Sequence, residues 1–166
     1  DSSPFAYPVY AFSLDGTKVA YAQPTIDRSR ATDDVVGYYV GKPYTVKQRD
    51  LTNGEETTIA TVDNDPMPSS ISWQYGADQF AFSIGGALYE SGSLETGIDP
   101  LATPVYETTT SENIDIIYAV DGLNALVGSL QDDGTYIVYN INIMETDRTE
   151  IMQTTDATTP IGILLK

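Results

Sequence analysis

Hydrophobic and polar positions alternate along most of this chain with a period of two. Val19, Tyr21 and Gln23 interleave with Lys18, Ala20 and Ala22. Tyr44, Val46 and Gln48 interleave with Thr45, Lys47 and Arg49, and Ile137, Tyr139, Ile141 and Ile143 with Val138, Asn140, Asn142 and Met144. Successive side chains of a strand point to opposite faces, so this period predicts half-buried β-strands. β-Branched and aromatic residues fill the runs, as a pleated surface favours. Asp15-Gly16, Asn53-Gly54, Gly85-Gly86, Asp121-Gly122 and Asp133-Gly134 punctuate them as hairpin turns. The nearest approach to a helical stripe, residues 111–120, is too β-branched and ends in Asp-Gly. The pattern predicts an all-β chain of about a dozen short strands.

The strands fall into repeats. Residues 12–22 read FSLDGTKVAYA, residues 73–83 WQYGADQFAFS and residues 118–128 YAVDGLNALVG. Each holds an aromatic residue, a short turn centred on glycine (Gly16, Gly76, Gly122), then an alternating strand. The second glycine spacing approaches the ~40–45 residues of a propeller blade. The first is longer because of an extra segment, residues 24–43, polar at first and then Gly-flanked and aromatic. A second hairpin and a closing, often Thr-rich strand complete each repeat: 44–51 with 57–61, 87–91 with 104–108, and 135–143 with 149–153. One domain follows, with repeats at 8–66, 67–111 and 112–159, four strands in each, and the start of a further strand at 160–166.

The pattern aromatic-Ser-x-Asp-Gly-x-x-apolar-Ala-aromatic, followed by a strand and an Asn-Gly turn, resembles the TolB-type (WD40-like, PD40) β-propeller repeat. FSLDGTKVAYA matches it closely. WQYGADQFAFS keeps the Trp, the turn and the FAFS strand but has Tyr-Gly in place of Asp-Gly, and YAVDGLNALVG loses the second aromatic. The resemblance implies three four-stranded antiparallel blades. Closed propellers typically need four to eight, so three arrangements compete: an excised part of a longer propeller, a ring completed by oligomerisation, or an open stack with protected edges. Such repeats occur in periplasmic scaffolds, in surface-layer and secreted proteins and in the propeller domains of prolyl-oligopeptidase-type peptidases. Fold alone does not transfer function among these.

Composition narrows the chemistry. The 166 residues carry 24 acidic and 8 basic side chains, a formal charge of −16. Phosphate contacts need Lys and Arg, so nucleic acids and anionic membranes are disfavoured partners. With neither His nor Cys, the chain has no His-based triad and no thiol nucleophile, and nearly every kind of zinc site is excluded. The absence of Cys also excludes a disulfide-stapled miniprotein. No run approaches the ~18 apolar residues of a membrane-spanning helix. A start at Asp1-Ser2-Ser3-Pro4 reads as processed or excised. Sixteen Asp and 20 Thr against four Lys suit an exported surface: extracellular, cell-surface or periplasmic.

Candidate sites are few. Asp63 and Asp65, and Asp132 and Asp133, offer the hard oxygens that Ca²⁺ takes, but they also suit turns in which Asp bonds its own backbone. Arg28 and Arg30 form a basic island in the extra segment beside Asp33 and Asp34. With Tyr38 and Tyr39 they are candidate partner contacts. Tyr44, Tyr75, Tyr89 and Tyr106 are further candidates for an exposed aromatic surface, whereas Trp73 reads as core. No cofactor is expected. The sequence points to a non-enzymatic, extracytoplasmic interaction or structural module with a protein partner or self-association. The alternatives are an accessory propeller of a larger peptidase-like enzyme and a subunit of a surface layer or filament.

Overall fold

The computed structural model describes residues 9–27, 39–63, 66–92, 101, 103–108 and 112–155. The expected strand at 160–166 lies outside them. Twelve strands and no helix occur among the described residues. They are β1 (Val9–Phe12), β2 (Lys18–Asp27), β3 (Tyr39–Asp50), β4 (Glu56–Val62), β5 (Ser70–Trp73), β6 (Phe80–Ile84), β7 (Ala87–Glu90), β8 (Tyr106–Glu107), β9 (Ile116–Val120), β10 (Asn124–Leu130), β11 (Tyr136–Asn142) and β12 (Asp147–Thr154). They form three four-stranded antiparallel meanders, β1–β4, β5–β8 and β9–β12, one for each sequence repeat. Gly16, Gly76 and Gly122 take φ of 72°, 79° and 85°, a region that costs a side chain and that glycine enters freely.

The described ends of the extra segment, residues 24–27 and 39–43, belong to paired strands. β2 runs on to Asp27, and beyond a register shift at Pro24/Thr25 it pairs Thr25 with Gly41, Ile26 with Val40 and Asp27 with Tyr39. Proline has no N–H to give the ladder, so a shift there lets pairing resume past it.

The sheets stack in a propeller-like arrangement that is not closed. The first strand of each sheet lies beside its counterpart: β1 contacts β5 and β5 contacts β9. Gln74 and Val120 form a parallel bridge, and the Tyr75 N–H donates to the Val120 carbonyl at 2.9 Å. Between the first two sheets, small residues (Ala20, Ala22, Val46, Ala60, Val62) meet large ones (Ile71, Trp73, Phe80, Phe82) in one buried cluster. Trp73 is core, as expected, and its Nε1–H donates to the Ala11 carbonyl at 2.9 Å. A second cluster joins Ala81, Leu88 and Tyr106 to Ile117, Val127, Tyr139 and Ile141 of the third sheet. This seam also carries polar ties. Ser69 Oγ donates to the Ile114 carbonyl at 2.6 Å, and the Ile117 N–H donates to Ser70 Oγ at 2.9 Å. On the far face of the third sheet the Tyr136 ring lies across Gly128, and its hydroxyl is 3.0 Å from that of Tyr118.

Candidate functional site

In an antiparallel meander the first and third turns share one end. The parallel run of β5 with β9 aligns the second and third sheets. The Lys18–Asp78 ion pair, which joins the start of β2 to the β5–β6 turn, aligns the first with the second. One end of the molecule therefore carries the β1–β2, β3–β4, β5–β6, β9–β10 and β11–β12 turns.

Side-chain acceptors lock four of these turns. Asp15 Oδ1 accepts from the Thr17 N–H (2.9 Å), Ser13 Oγ and Thr17 Oγ1 (both 2.8 Å), which lowers its pKa to about 2. Asp50 Oδ1 accepts from the Thr52 N–H at 2.7 Å, and Asp121 Oδ1 from the N–H groups of Leu123 (3.0 Å) and Asn124 (2.7 Å). Both carboxyls are held below their usual range, Asp50 chiefly by the Thr52 hydroxyl and N–H, Asp121 by its two backbone bonds. Asn142 Oδ1 accepts from the N–H groups of Met144 and Glu145. The fifth turn lacks the aspartate, and its Tyr75 N–H is the donor that reaches Val120 in the next sheet.

Each of the five turns, the four locked ones and the fifth, turns an apolar side chain into solvent. Leu14, Leu51, Tyr75, Leu123 and Met144 are between 47% and 78% exposed. Leu14 and Tyr75 are structurally equivalent, each following a residue whose N–H closes a four-residue turn (Ser13 to Lys18, Gln74 to Gln79). Asp15, Asp50, Glu55, Asp78, Asp121, Glu145 and Asp147 surround the tips. The described cations in or next to these turns are Lys18, paired with Asp78, Arg148, paired with Glu112, and Arg49. A cleft of about 320 Å³ opens between two of the turns, lined by Leu14, Asp15, Lys18, Trp73, Gly76 and Asp78. The described turns at the opposite end are polar, Gly85-Gly86 and residues 131–134, with Leu130 exposed at a strand end beside them.

A second surface is the outward face of the first sheet. The pairs Tyr10–Tyr21 and Phe12–Val19 occupy the registers that Ile71–Phe82 and Trp73–Phe80 occupy in the second sheet. In the second sheet those four residues are buried against the first. In the first sheet Tyr10 and Phe12 are each 58% exposed, their rings packed edge to face at 5.9 Å. A polar network borders them: Tyr21 Oη donates to Glu56, which also accepts from Lys47 Nζ at 2.7 Å. Burial and this carboxylate push the Tyr21 pKa up to about 12.

The residues singled out from the sequence do not converge. Arg28, Arg30, Tyr38 and Asp65 lie outside the described residues. Tyr39 is in β3, and its side chain is likewise outside them. Asp63 is exposed after β4. Asp132 is exposed beside Asp133, whose Oδ1 accepts from the Thr135 N–H at 2.8 Å, the geometry of a turn. No group of three or more acidic side chains placed to hold a metal occurs among the described residues. Of the tyrosines expected at the surface, Tyr75 is exposed, Tyr106 is core, and Tyr44 and Tyr89 pack against the first cluster. Sequence reasoning found Tyr75 but missed Tyr10, Phe12 and the turn tips Leu14, Leu51, Leu123 and Met144. The available signals were the register shared by Phe12 and Trp73, and an apolar residue within or beside each Asx turn. No protein-family model and no curated protein matches this chain.

Proposed function

We propose that the chain is a non-enzymatic interaction or structural module built on propeller-type repeats and working outside the cytoplasm. The observation that carries this reading is the outward face of the first sheet. It repeats, with Tyr10, Phe12, Val19 and Tyr21, the positions the second sheet uses to dock on its neighbour. Apolar surface left in water costs about 25 cal/mol per Å², and an exposed aromatic pair offers contact area at low entropy cost. The Lys-poor, Asp- and Thr-rich composition supports the extracytoplasmic setting, and the TolB-type repeat pattern supports a scaffold role. The test is site-specific photo-crosslinking in the source cells from Tyr10, Phe12, Leu14 and Tyr75, one at a time. A discrete protein adduct from at least one position is expected. No adduct from any of the four overturns the reading.

A further inference from the structure

We propose that the end bearing Leu14, Leu51, Tyr75, Leu123 and Met144 docks a basic protein surface, with the apolar tips entering it and the surrounding carboxylates pairing with its Lys and Arg side chains. The inference rests on the reading of the chain as an interaction module, but not on the aromatic sheet face that carries that reading.

The clustering is the first argument. Single exposed apolar residues are ordinary, but here five sit in turns that all share one end. A turn needs its Asp, Asn or Gly to satisfy backbone geometry. Nothing in the turn requires leucine, methionine or tyrosine at the neighbouring solvent-facing position. The second argument is order. The side-chain acceptors of Asp15, Asp50, Asp121 and Asn142 fix the turns before any partner arrives. Preorganised loops lose less entropy on binding. The third argument is charge. Seven carboxylates ring the tips, while of the described cations in or next to these turns Lys18 is taken by Asp78 and Arg148 by Glu112, leaving Arg49. Such a field steers a positive surface and rejects a negative one.

Charge also decides against the other occupants. A second copy carries the same net charge of −16 and would meet like charge here. An anionic bilayer is repelled in the same way. Seating the tips in a neutral bilayer would carry ionised carboxylates toward its apolar region without partners, which is costly. A basic protein surface supplies both the apolar receptacle and the counter-charges.

The test is an NMR titration of the ¹⁵N-labelled chain with a peptide of about twelve residues repeating Lys-Leu-Lys-Ser, against a Lys-Ser-Lys-Ser control of equal charge. The Leu-bearing peptide should shift amides of the five turns and bind about tenfold tighter than the control, a difference of about 1.4 kcal/mol. Raising salt from about 0.05 to 0.5 M should weaken it about tenfold, because the Debye length shortens. Leu14→Ser/Tyr75→Ser/Leu123→Ser should lose about tenfold in affinity and keep the wild-type circular dichroism and melt, since these side chains face solvent. Should that variant misfold, the peptide comparison and the salt series on the wild-type chain decide alone. Equal affinity for the two peptides, or no saturable binding, overturns the proposal. Association with phosphatidylcholine vesicles, or self-association, that the triple variant abolishes also overturns it, in favour of a lipid or a second copy. Shifts confined to residues 9–12 and 19–21 overturn it too, while leaving the interaction-module reading standing.

Discussion

Trp73 is the side chain on which the joining of the first two sheets most directly depends. Its ring lies 5.3 Å from that of Phe80 in the shared cluster, and its Nε1–H reaches the Ala11 carbonyl on β1. Trp73→Phe keeps an aromatic ring and removes two things. One is the inter-sheet hydrogen bond, a net contribution of about 1 kcal/mol. Ala11 stays opposite Ala20 in the β1–β2 ladder, so no larger desolvation penalty is expected. The other is roughly 40 Å² of buried ring surface, about 1 kcal/mol at about 25 cal/mol per Å². The sum is about 2 kcal/mol, whereas Trp73→Ala should cost about 3–5 kcal/mol because it also opens a cavity. Urea unfolding followed by far-ultraviolet circular dichroism measures both. Because Trp73 is the single tryptophan, fluorescence of the wild-type protein reports the seam itself, and its transition should coincide with the dichroism. Two results would refute the reasoning: a Trp73→Phe variant within about 0.5 kcal/mol of wild type, or one as unstable as Trp73→Ala.

Three further outcomes follow from particular contacts. Gly128→Ala places a methyl group on the Tyr136 ring; it should destabilise by about 1–3 kcal/mol, and a double-mutant cycle should show the penalty largely vanish in a Tyr136→Ala background. Glu90 is half-buried beside Gln74, and burial raises its pKa. The folded state therefore favours the protonated form, and stability is lost as pH rises from about 4.3 through the folded value. Glu90→Gln keeps an acceptor for Gln74 Nε2 and should melt higher than wild type at pH 7, the gain disappearing in melts below about pH 4. A net charge of −16 repels itself in the compact state, so the melting temperature should climb between about 0.15 and 1 M NaCl, and flat melts would remove self-repulsion as a significant factor.

Much of the fold was legible because local rules and global packing agree in this chain. The repeats 8–66, 67–111 and 112–159 each contain one sheet, since alternating residues fix which face of a strand is buried and Asp-Gly or Gly-Gly pairs fix where it reverses. The segment at 24–43 misled because Pro24 reads as the end of a strand. The chain instead shifts register there and keeps pairing to Asp27, so strand length was set by the partner strand rather than by the proline. Tyr106 misled for a related reason. An aromatic residue in a short, irregular strand looks superficial, but β8 brings it over Leu88 and into the seam with the third sheet.

The candidate surface was less legible, because its residues obey no local rule of their own. Asp15 and Asp121 are dictated by the turns they lock, and their carboxylates can be foreseen from Asp-Gly alone. Leu14, Leu123 and Met144 fill positions where the backbone accepts nearly any side chain, so each looks accidental in isolation. They become a surface only when the hairpin order of all three sheets puts their turns at one end, and that depends on the parallel alignment of β5 with β9. Tyr75 makes the point most sharply. Aligned on the glycines it stands where the repeat pattern calls for aspartate, but the shared registers of Phe12 with Val19 and of Trp73 with Phe80 put Gly76 at the place of Asp15 and Tyr75 at that of Leu14. In the folded chain its N–H links the second sheet to the third, and its side chain takes the same outward position as Leu14. Tyr75 thus serves both the stacking of the sheets and the apolar end. Chemistry that depends on the relation between repeats escapes any reading of one repeat at a time.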